Sequence, residues 1–344
     1  MKSTAYRVDV LRQGVLYDQL YFDTPPQVSC NSTAQISMTL RGTFLNNPAV
    51  NYLTDELRPM IIQNGVASPL GVFCIGTRKV SVQSNGTQRD TIEAYDRCVR
   101  LSWAKTEKRE YWPAGTRYQT VVEYYVAAAG VSRLLFAEND ATLQTAREDW
   151  EVGTSYLTIV NQLLEEIGYR PLHCDSTGLM IAAPRVEPSA ANIKHFFGPR
   201  EASEVLLQME LTRELDLYDA PNVFLAYVEN PEFSTPLYAS AVNDSPTSPL
   251  STVNRGVRIP TVVKLDNIAS QEALQAYVDK LCSESRMTYE VVNIKTAPRP
   301  GHGVSDTVAL VHDGASGIYE ETGWTLSLNV GSTMSHTLRK AVLV

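Results

Sequence analysis

The sequence predicts a mainly β fold with an α+β insertion in the middle of the chain. Short segments of alternating apolar residues, separated by turn residues, fill about the first 110 positions and return at the end. Between these regions, residues 154–168 carry apolar side chains at helical spacing and are followed by a hairpin pattern. The 344 residues suffice for two or three cores, since domains usually contain ~100–200 residues.

The first 110 residues are typical of a small barrel or sandwich. Apolar and polar residues alternate in three predicted strands, at 6–10, 15–22 and 36–40. Residues 12–14 are expected to form a turn, and 42–48, which contain Gly, Asn and Pro, a loop. Residues 52–60 fit either a short helical turn or a covering loop, and the pattern does not decide between them.

A hairpin is the clearest β signal in the sequence. Residues 72–83 are rich in β-branched and aromatic side chains, and 91–95 resume the alternation. Between them, Asn85 and Gly86 favour a two-residue type I′ turn, because this pair tolerates the positive φ that both central positions need. We therefore expect an antiparallel hairpin with neither a nucleotide-binding loop nor a catalytic elbow at its turn.

The middle of the chain predicts a small α/β domain over roughly 111–199. Residues 154–168 form one apolar stripe at helical spacing, with Thr154 or Ser155 as the N-cap and Gly168 as the left-handed residue that ends the helix. Residues 169–183 then read as strand, turn and strand, with the turn at 175–178. A helix followed by a hairpin indicates a domain that packs one against the other.

The second half of the chain mixes predicted strands with one helix. Alternation favours strands at 205–217, 223–228, 308–311, 317–319 and 324–330. A Pro/Ser loop is expected at 243–260, leading into another strand. Residues 270–283 predict a second helix, with Ser270 as its N-cap.

Several segments, taken in order, resemble the tail hub proteins of long-tailed bacteriophages. They are PLGVF with the hairpin and AYDR (69–97), WEVGTSYLTIVNQLLEEIGY (150–169), CDSTGLMIAAP (174–184), DLYDAPNVFLAYVENP with SPTSPLST (216–252), and DTVALVHDG with GIYEETGWTLSLNVGSTMSHTLRK (306–340). Their order and spacing span nearly the whole chain. One position departs from the family pattern, since Ser305 stands where a Gly commonly precedes the Asp, here Asp306.

The resemblance implies a structural virion protein with two small β-barrel-like domains, 1–110 and 200–344, on either side of the middle domain, 111–199. Part of 200–262 is expected to complete the first barrel. It implies a homotrimer at the tail tip or baseplate that joins the tail tube to the tip or spike and leaves a channel for DNA. The implied partners are a tail tube or distal tail protein, a tape measure protein and a central spike or tip protein.

Charge and hydropathy narrow the function classes further. The net charge is −8, and the nearest approach to a basic cluster, 105–109, is interrupted by Glu107, so sequence-specific nucleic-acid binding is not expected. No apolar run approaches the ~20 residues that span a bilayer, and the first residues lack the pattern of a signal peptide. We therefore expect assembly in the host cytoplasm and no membrane association.

No residue pattern points to a catalytic, cofactor or metal site. The five cysteines contain no CxxC pair and are expected to be buried, reduced thiols. The five histidines contain no HExxH motif, so a structural or surface role is expected for each. Ser155 is expected to cap a helix rather than act as a nucleophile, and the pairs Glu165–Glu166 and Glu320–Glu321 are expected on solvated faces. Residues 301–306 imitate a dinucleotide fingerprint without its last glycine.

The aromatic residues leave one alternative open. The chain has 4 Trp and 17 Tyr, which suit either core and interface packing or a sugar-binding platform. Because these residues fall among strand residues, burial is favoured. The leading hypothesis is thus a non-enzymatic tail hub, and the alternative is a carbohydrate- or receptor-binding module at the tail tip.

Overall fold

The alternating segments at the start of the chain fold as strands whose inward apolar side chains share one core. The structure is a computed structural model that describes residues 4–143, 145–148, 150–198, 204–205, 212–215, 220–228, 237–265, 271–284 and 287–343. The strands of the first region are β1 (Thr4–Arg12), β2 (Val15–Leu20), β3 (Thr24–Asn31), β4 (Met38–Leu45), β5 (Glu56–Gln63), β6 (Val66–Pro69), β7 (Phe73–Val82) and β8 (Gln88–Asp96).

Short helices interrupt the strands in the rest of the described chain. The elements are α1 (Cys98–Trp103), α2 (Tyr118–Ala128), β9 (Leu134–Phe136), α3 (Tyr156–Glu166), β10 (His173–Cys174), β11 (Met180–Ala182), β12 (Ile193–Gly198), β13 (Glu204–Val205), β14 (Thr212–Leu215), β15 (Val223–Val228), β16 (Leu237–Val242), α4 (Thr252–Arg255), β17 (Pro260–Leu265), α5 (Gln271–Glu284), β18 (Met287–Thr296), β19 (Thr307–His312), β20 (Ala315–Ser327) and β21 (Met334–Leu343). The predicted mainly β fold with small α insertions is confirmed. No described helix is long and apolar enough to cross a membrane.

The chain divides into two compact units, Met1–Glu210 with Ile294–Leu338 and Leu211–Asn293 with Arg339–Val344. In the first unit, one path of paired strands runs β13-β12-β19-β20-β3-β4-β8-β7-β5-β1-β2. Trp324 and Leu326 of β20 join the core that Val8 and Val28 begin. Among the described residues, β3 pairs with β4 and with β20. The division into two barrel-like domains, with part of 200–262 completing the first, stays a prediction.

The first unit has a second core, built by α1, α2, α3 and strands β9–β11. The predicted helix and caps are confirmed, because the Ser155 hydroxyl accepts from the Thr158 amide at 3.1 Å and Gly168 has a φ of 72°. The predicted hairpin is also confirmed, as β10 pairs antiparallel with β11. Helix α2 has no counterpart in the prediction, since its β-branched and aromatic residues do not favour a helix in isolation.

The second unit packs a helix on a three-stranded sheet. Strand β15 lies between β16, which is antiparallel to it, and β17, which is parallel. Leu274 and Val278 of α5 bury their side chains against this sheet, as the helical pattern predicts. The short helix α4 lies inside the predicted Pro/Ser loop. Ser270 and most of the predicted strand at 205–217 lie outside the described residues.

The turn after β7 differs from the predicted type I′ turn. Gly86 has a φ of 82°, as the Asn-Gly pair predicts, but the described non-glycine residues with positive φ are Gln13, Asn64 and Ser305, and Asn85 is not among them. The amide of Gly86 donates to the carbonyl of Gln83, and the amide of Gln83 donates to the carbonyl of Thr87. This pattern fits a three-residue loop in which a tight turn is followed by one left-handed glycine. The two consecutive positive φ values predicted for Asn85 and Gly86 are found instead at Asn64 and Gly65.

Three further sequence predictions need correction. Strand β4 continues to Leu45 through the expected loop, because Gly42 leaves room for the close approach of Pro26 where a Cβ would clash. Residues 56–60, within the segment expected as a turn or loop, belong to β5. The separate strands expected at 317–319 and 324–330 are mostly one strand, β20, which ends at Ser327.

Candidate assembly surface and buried polar clusters

The tip of the β7–β8 hairpin, residues 76–89, is exposed or half-buried throughout and is called the hairpin arm here. Among the described residues, strand β7 pairs with β8 from Phe73 to Val82, but it pairs with β5 only at Phe73 and Cys74. Its outer edge therefore offers unpaired backbone groups. Val80 and Val82 face the same way and are 48% and 64% exposed. An open edge with exposed apolar side chains is a site where another chain can dock.

A second open edge lies at β2, where the strand path ends. Among the described residues, β2 pairs only with β1. Its apolar residues Val15, Leu16 and Tyr17 are 69%, 50% and 48% exposed. The guanidinium of Arg12 lies 3.7 Å from the centre of the Tyr17 ring, which holds this ring at the edge. The two edges together are the candidate assembly surface.

The structure brings together three of the five histidines, which the spacing along the sequence does not reveal. Glu321, on β20, lies 2.7 Å from Nδ1 of His302 and 2.5 Å from Nδ1 of His336. Nε2 of His336 lies 2.8 Å from the hydroxyl of Thr296. The ring of His195 stacks on that of His302, with centroids 3.8 Å apart. We call His195, His302, His336 and Glu321 the histidine cluster.

The carboxylate of Asp306 extends the histidine cluster at its edge. It lies 3.2 Å from Nε2 of His195, and accepts from the ammonium of Lys194 at 2.6 Å and from the amide of Gly303 at 2.8 Å. Burial opposes its ionisation, but the hydrogen bonds from His195 and Lys194 outweigh burial and lower its pKa to about 2. Asp306 is therefore ionised at neutral pH, although only 2% of it is exposed.

Glu321 corrects the expectation that the pair Glu320–Glu321 lies on a solvated face. It is 1% exposed, and the hydrogen bonds from His302 and His336 outweigh burial and lower its pKa. Because the ionised carboxylate only accepts hydrogen bonds, both Nδ1 atoms donate to it. The sequence could have predicted this burial, because Glu321 lies two residues after Tyr319 and therefore points to the same face of β20.

By residue type the histidine cluster contains possible metal ligands. One atom from each of His195, His302 and Glu321 lies within 4.8 Å of the others. However, the rings of His195 and His302 are only 15° from parallel, so their nitrogen lone pairs run side by side instead of converging. Both oxygens of Glu321 already accept from imidazoles. The geometry favours a buried hydrogen-bond network that fixes strand positions.

A second buried cluster contains Asp96, Cys98 and Cys174. The two Sγ atoms are 3.8 Å apart, and the Asp96 carboxylate accepts from the amides of Met38 and Cys98, each at 2.9 Å. Hydrogen bonding to Cys174 and then burial raise the pKa of the Cys98 thiol, which disfavours the thiolate that metals prefer. All five cysteines are free and buried, as predicted.

The other residues singled out in the sequence have structural positions. Ser155 is an N-cap, as predicted, and Glu165 and Glu166 lie on an exposed helix face. Residues 301–306 form the loop that carries His302 and Asp306 into the histidine cluster. Trp150 and Trp324 are 4% and 3% exposed, which agrees with the favoured burial of aromatic residues. Trp103 departs from this expectation at 53% exposed, as do Tyr21, Tyr111 and Tyr238, which are 66%, 63% and 55% exposed.

No family model and no curated protein matches the sequence. Solved structures do match its fold from end to end. The 43 kDa tail protein of prophage MuSo2 from Shewanella oneidensis has a TM-score of 0.68 and 10% sequence identity, over 98% of each chain. The tail protein from Neisseria meningitidis has a TM-score of 0.67 and 14% identity, over 98% of this chain and 97% of that chain.

A third solved structure extends the same similarity to a different bacterial group. The prophage tail protein gp18 from Listeria monocytogenes has a TM-score of 0.58 and 10% identity, over 98% of this chain and 94% of that chain. Sequences this different share their order of strands and helices rather than their side chains. The chain therefore has the fold of these prophage tail proteins, which confirms the resemblance drawn from its sequence motifs.

Proposed function

We propose that the chain is a structural tail hub, of which three copies form a closed ring at the tail tip or baseplate. The observation that carries the proposal is the end-to-end similarity to prophage tail proteins, with 98% of the chain covered and a TM-score of 0.68. The ring joins the tail tube to the tip or spike.

The open edges support contacts between copies. In a cyclic ring, each copy offers one surface to the next and receives another, so the ring closes without forming filaments. The hairpin arm and the edge of β2 are two different surfaces with exposed apolar side chains. Strand addition at such an edge satisfies its backbone groups and buries residues such as Val82. Two barrel-like domains per copy offer six similar docking surfaces to a sixfold tube.

Charge supports passage of DNA rather than its capture. The chain carries a net charge of −8. A channel lined more by Asp and Glu than by Lys and Arg repels phosphates, so DNA moves through without adhering. The proposed neighbours of the ring are a tube or distal tail protein, the tape measure protein and a central spike or tip protein. The hub turns over no substrate, and it assembles in the host cytoplasm before it becomes part of the virion.

A cryo-EM map of the assembled particle tests the proposal directly. We expect three copies around an axial channel at the tip, with acidic side chains on the channel wall. One or six copies, or a wall dominated by basic side chains, would contradict it. Glycan binding by the isolated chain on an array, with the chain absent from the ring position in the map, would favour the receptor-binding alternative.

A substitution in the hairpin arm tests the assembly surface separately. Val82→Asp places a charge on an exposed apolar position, so we expect fewer assembled particles with no change in the melting temperature of the isolated chain. Val152→Asp is the matched control, because Val152 is an equally exposed valine, at 60%, outside both open edges. Equal particle yields for the two variants would exclude the hairpin arm from the assembly.

A further inference from the structure

A cavity of about 410 Å³ in the first unit is lined by an unusual number of arginines. Arg58 reaches it from β5, Arg97 from the N-cap of α1, Arg100 from α1 itself, and Arg133 from the loop after α2. Such a volume suits a few side chains of a bound segment. We call this cavity the arginine pocket.

Acidic groups neutralise the arginine pocket only in part. Glu56 is the acidic residue on its wall, and it accepts from Arg97 at 2.9 and 2.6 Å and from Arg100 at 3.4 Å. Arg58 pairs with Asp9, which lies behind the wall and is also shared with Arg7. Four guanidinium groups therefore have two neighbouring carboxylates, Glu56 on the wall and Asp9 behind it, in a chain whose net charge is −8.

Arg133 is the cation that this network leaves available. Its side chain is exposed and has no ion-pair or hydrogen-bond partner among the residues that the structure describes. The buried Nε atom of Arg58 also has no hydrogen-bond partner among the described residues. A guanidinium with open donors in a recessed site is suited to a carboxylate, which it can bind through two parallel hydrogen bonds.

An apolar cavity of about 630 Å³ continues from the arginine pocket, and the two share Gln13, Glu56 and Arg100. We call it the apolar pocket. Leu53 and Trp103 line it and are 94% and 53% exposed, while Ala128 and Ala129 keep its floor low. Exposed Trp and Leu side chains in a concave site gain free energy when a partner covers them.

We propose that the two pockets form one groove that binds a peptide segment of a neighbouring protein, in which an acidic residue stands beside a large apolar one. The acidic side chain enters the arginine pocket and meets Arg133, and the apolar side chain covers Trp103. Trp and Arg are the residue types that most often dominate the binding energy of interfaces. A nucleic acid fits less well, because its phosphates leave the apolar pocket uncovered and the acidic chain repels its backbone. The groove itself determines the chemistry of the partner segment, and only the statement that the partner is a tail protein rests on the proposed function.

Selection from a random peptide library, displayed on yeast, tests the groove with the full-length chain as bait. We expect the enriched peptides to combine Asp or Glu with Leu, Phe or Trp. Arg133→Glu and Trp103→Ala should each weaken binding of these peptides by roughly tenfold or more, which is the effect expected of interface anchors. Arg109→Glu and Tyr21→Ala, at exposed positions outside both pockets, are the matched controls and should change affinity less than about twofold.

Several outcomes would overturn the inference. These are enrichment of no peptide, enrichment of peptides without acidic residues, and equal binding by the wild-type chain and the two groove variants. Circular dichroism and melting curves establish that the variants are folded. The particle map separates the groove from the hub proposal. If the chain binds peptides through the groove but the map places it away from the tip, the groove proposal stands and the hub proposal is rejected. If the map shows the chain as a hub whose groove is empty, the hub proposal stands and the groove proposal is rejected.

Discussion

The imidazole ring of His195 stacks on that of His302, with ring centroids 3.8 Å apart and ring planes 15° from parallel. One ring belongs to β12 and the other to the loop before β19. Each is held from its own side by a carboxylate, His195 by Asp306 and His302 by Glu321. Two segments far apart in sequence are thereby fixed in register by charged hydrogen bonds.

Removal of the Glu321 charge should destabilise the fold strongly. In Glu321→Gln, one of the two imidazole donors faces an amide NH2 group, so a buried donor loses its acceptor. We expect the free energy of unfolding to fall by about 2–4 kcal/mol, as when a buried charged network is broken. Urea denaturation measures it. The control is Glu165→Gln on the exposed face of α3, and similar losses for both variants would refute a special role for the histidine cluster.

Asp306 should make stability depend on pH in the acid range. Its pKa is about 2 in the folded chain and about 4 when unfolded, so its contribution is fully present above pH 4 and is lost as the pH falls toward 2. A shift of this size corresponds to about 2 kcal/mol. The stability difference between wild type and Asp306→Asn should therefore narrow between pH 6 and pH 3 in urea titrations. A constant difference would mean that the Asp306 charge contributes nothing.

Gly86 should be replaceable only by a residue that accepts positive φ. Its φ is 82°, and no atom lies close to where a Cβ would be, so strain in the backbone is the only cost of a side chain. Gly86→Val should lower the free energy of unfolding by ~1 kcal/mol or more, and Gly86→Asn by less, because Asn tolerates the left-handed region. Thermal melting distinguishes the two. Identical melting curves would show that the turn does not constrain the hairpin.

Replacement of Ser305 by glycine should raise the free energy of unfolding, because the backbone conformation at this position favours glycine. Its φ is 57°, which explains why a glycine is common at this point of the family pattern. Ser305→Gly relieves the strain but adds entropy to the unfolded chain, so we expect a net gain of roughly 0.5 kcal/mol. Ser305→Ala removes the same hydroxyl and keeps the strain. Equal stability of the Gly and Ala variants would show that the backbone here is unstrained.

Periodicity in the sequence predicted the helices and strands whose pattern of apolar, capping and turn residues lies within the element itself. Helix α3 has an apolar stripe, a serine cap and a terminal glycine, and each of these is local. The strands of the hairpin arm were predicted for the same reason, whereas its turn depends on whether one or two residues adopt positive φ. Helix α2 was not predicted, because it is stabilised by burial of Val121, Val122 and its tyrosines in the core, which local helix propensity does not measure.

The polar clusters and the groove depend on contacts that local patterns do not encode. His195, His302 and His336 come from three segments, and the pairing of β12, β19, β20 and β21 brings them to Glu321. Arg133 and Trp103 likewise line two adjoining pockets that residues from distant parts of the sequence build together. The sequence indicated only one of these positions: in the alternation of β20, Glu321 falls on the inward-facing side.

The position of β20 beside β3 also determines when the chain can fold during synthesis. The core that begins with Val8 includes Trp324, Leu326 and Met334, so it lacks part of its side chains until translation has passed residue 334. A nascent chain released earlier keeps the edge of β3 and the inward face of the first sheet open to water. Protease resistance of stalled nascent chains should therefore rise late. Chains truncated before Trp324 lack the strand that pairs with β3, so we expect them to be degraded before they can assemble.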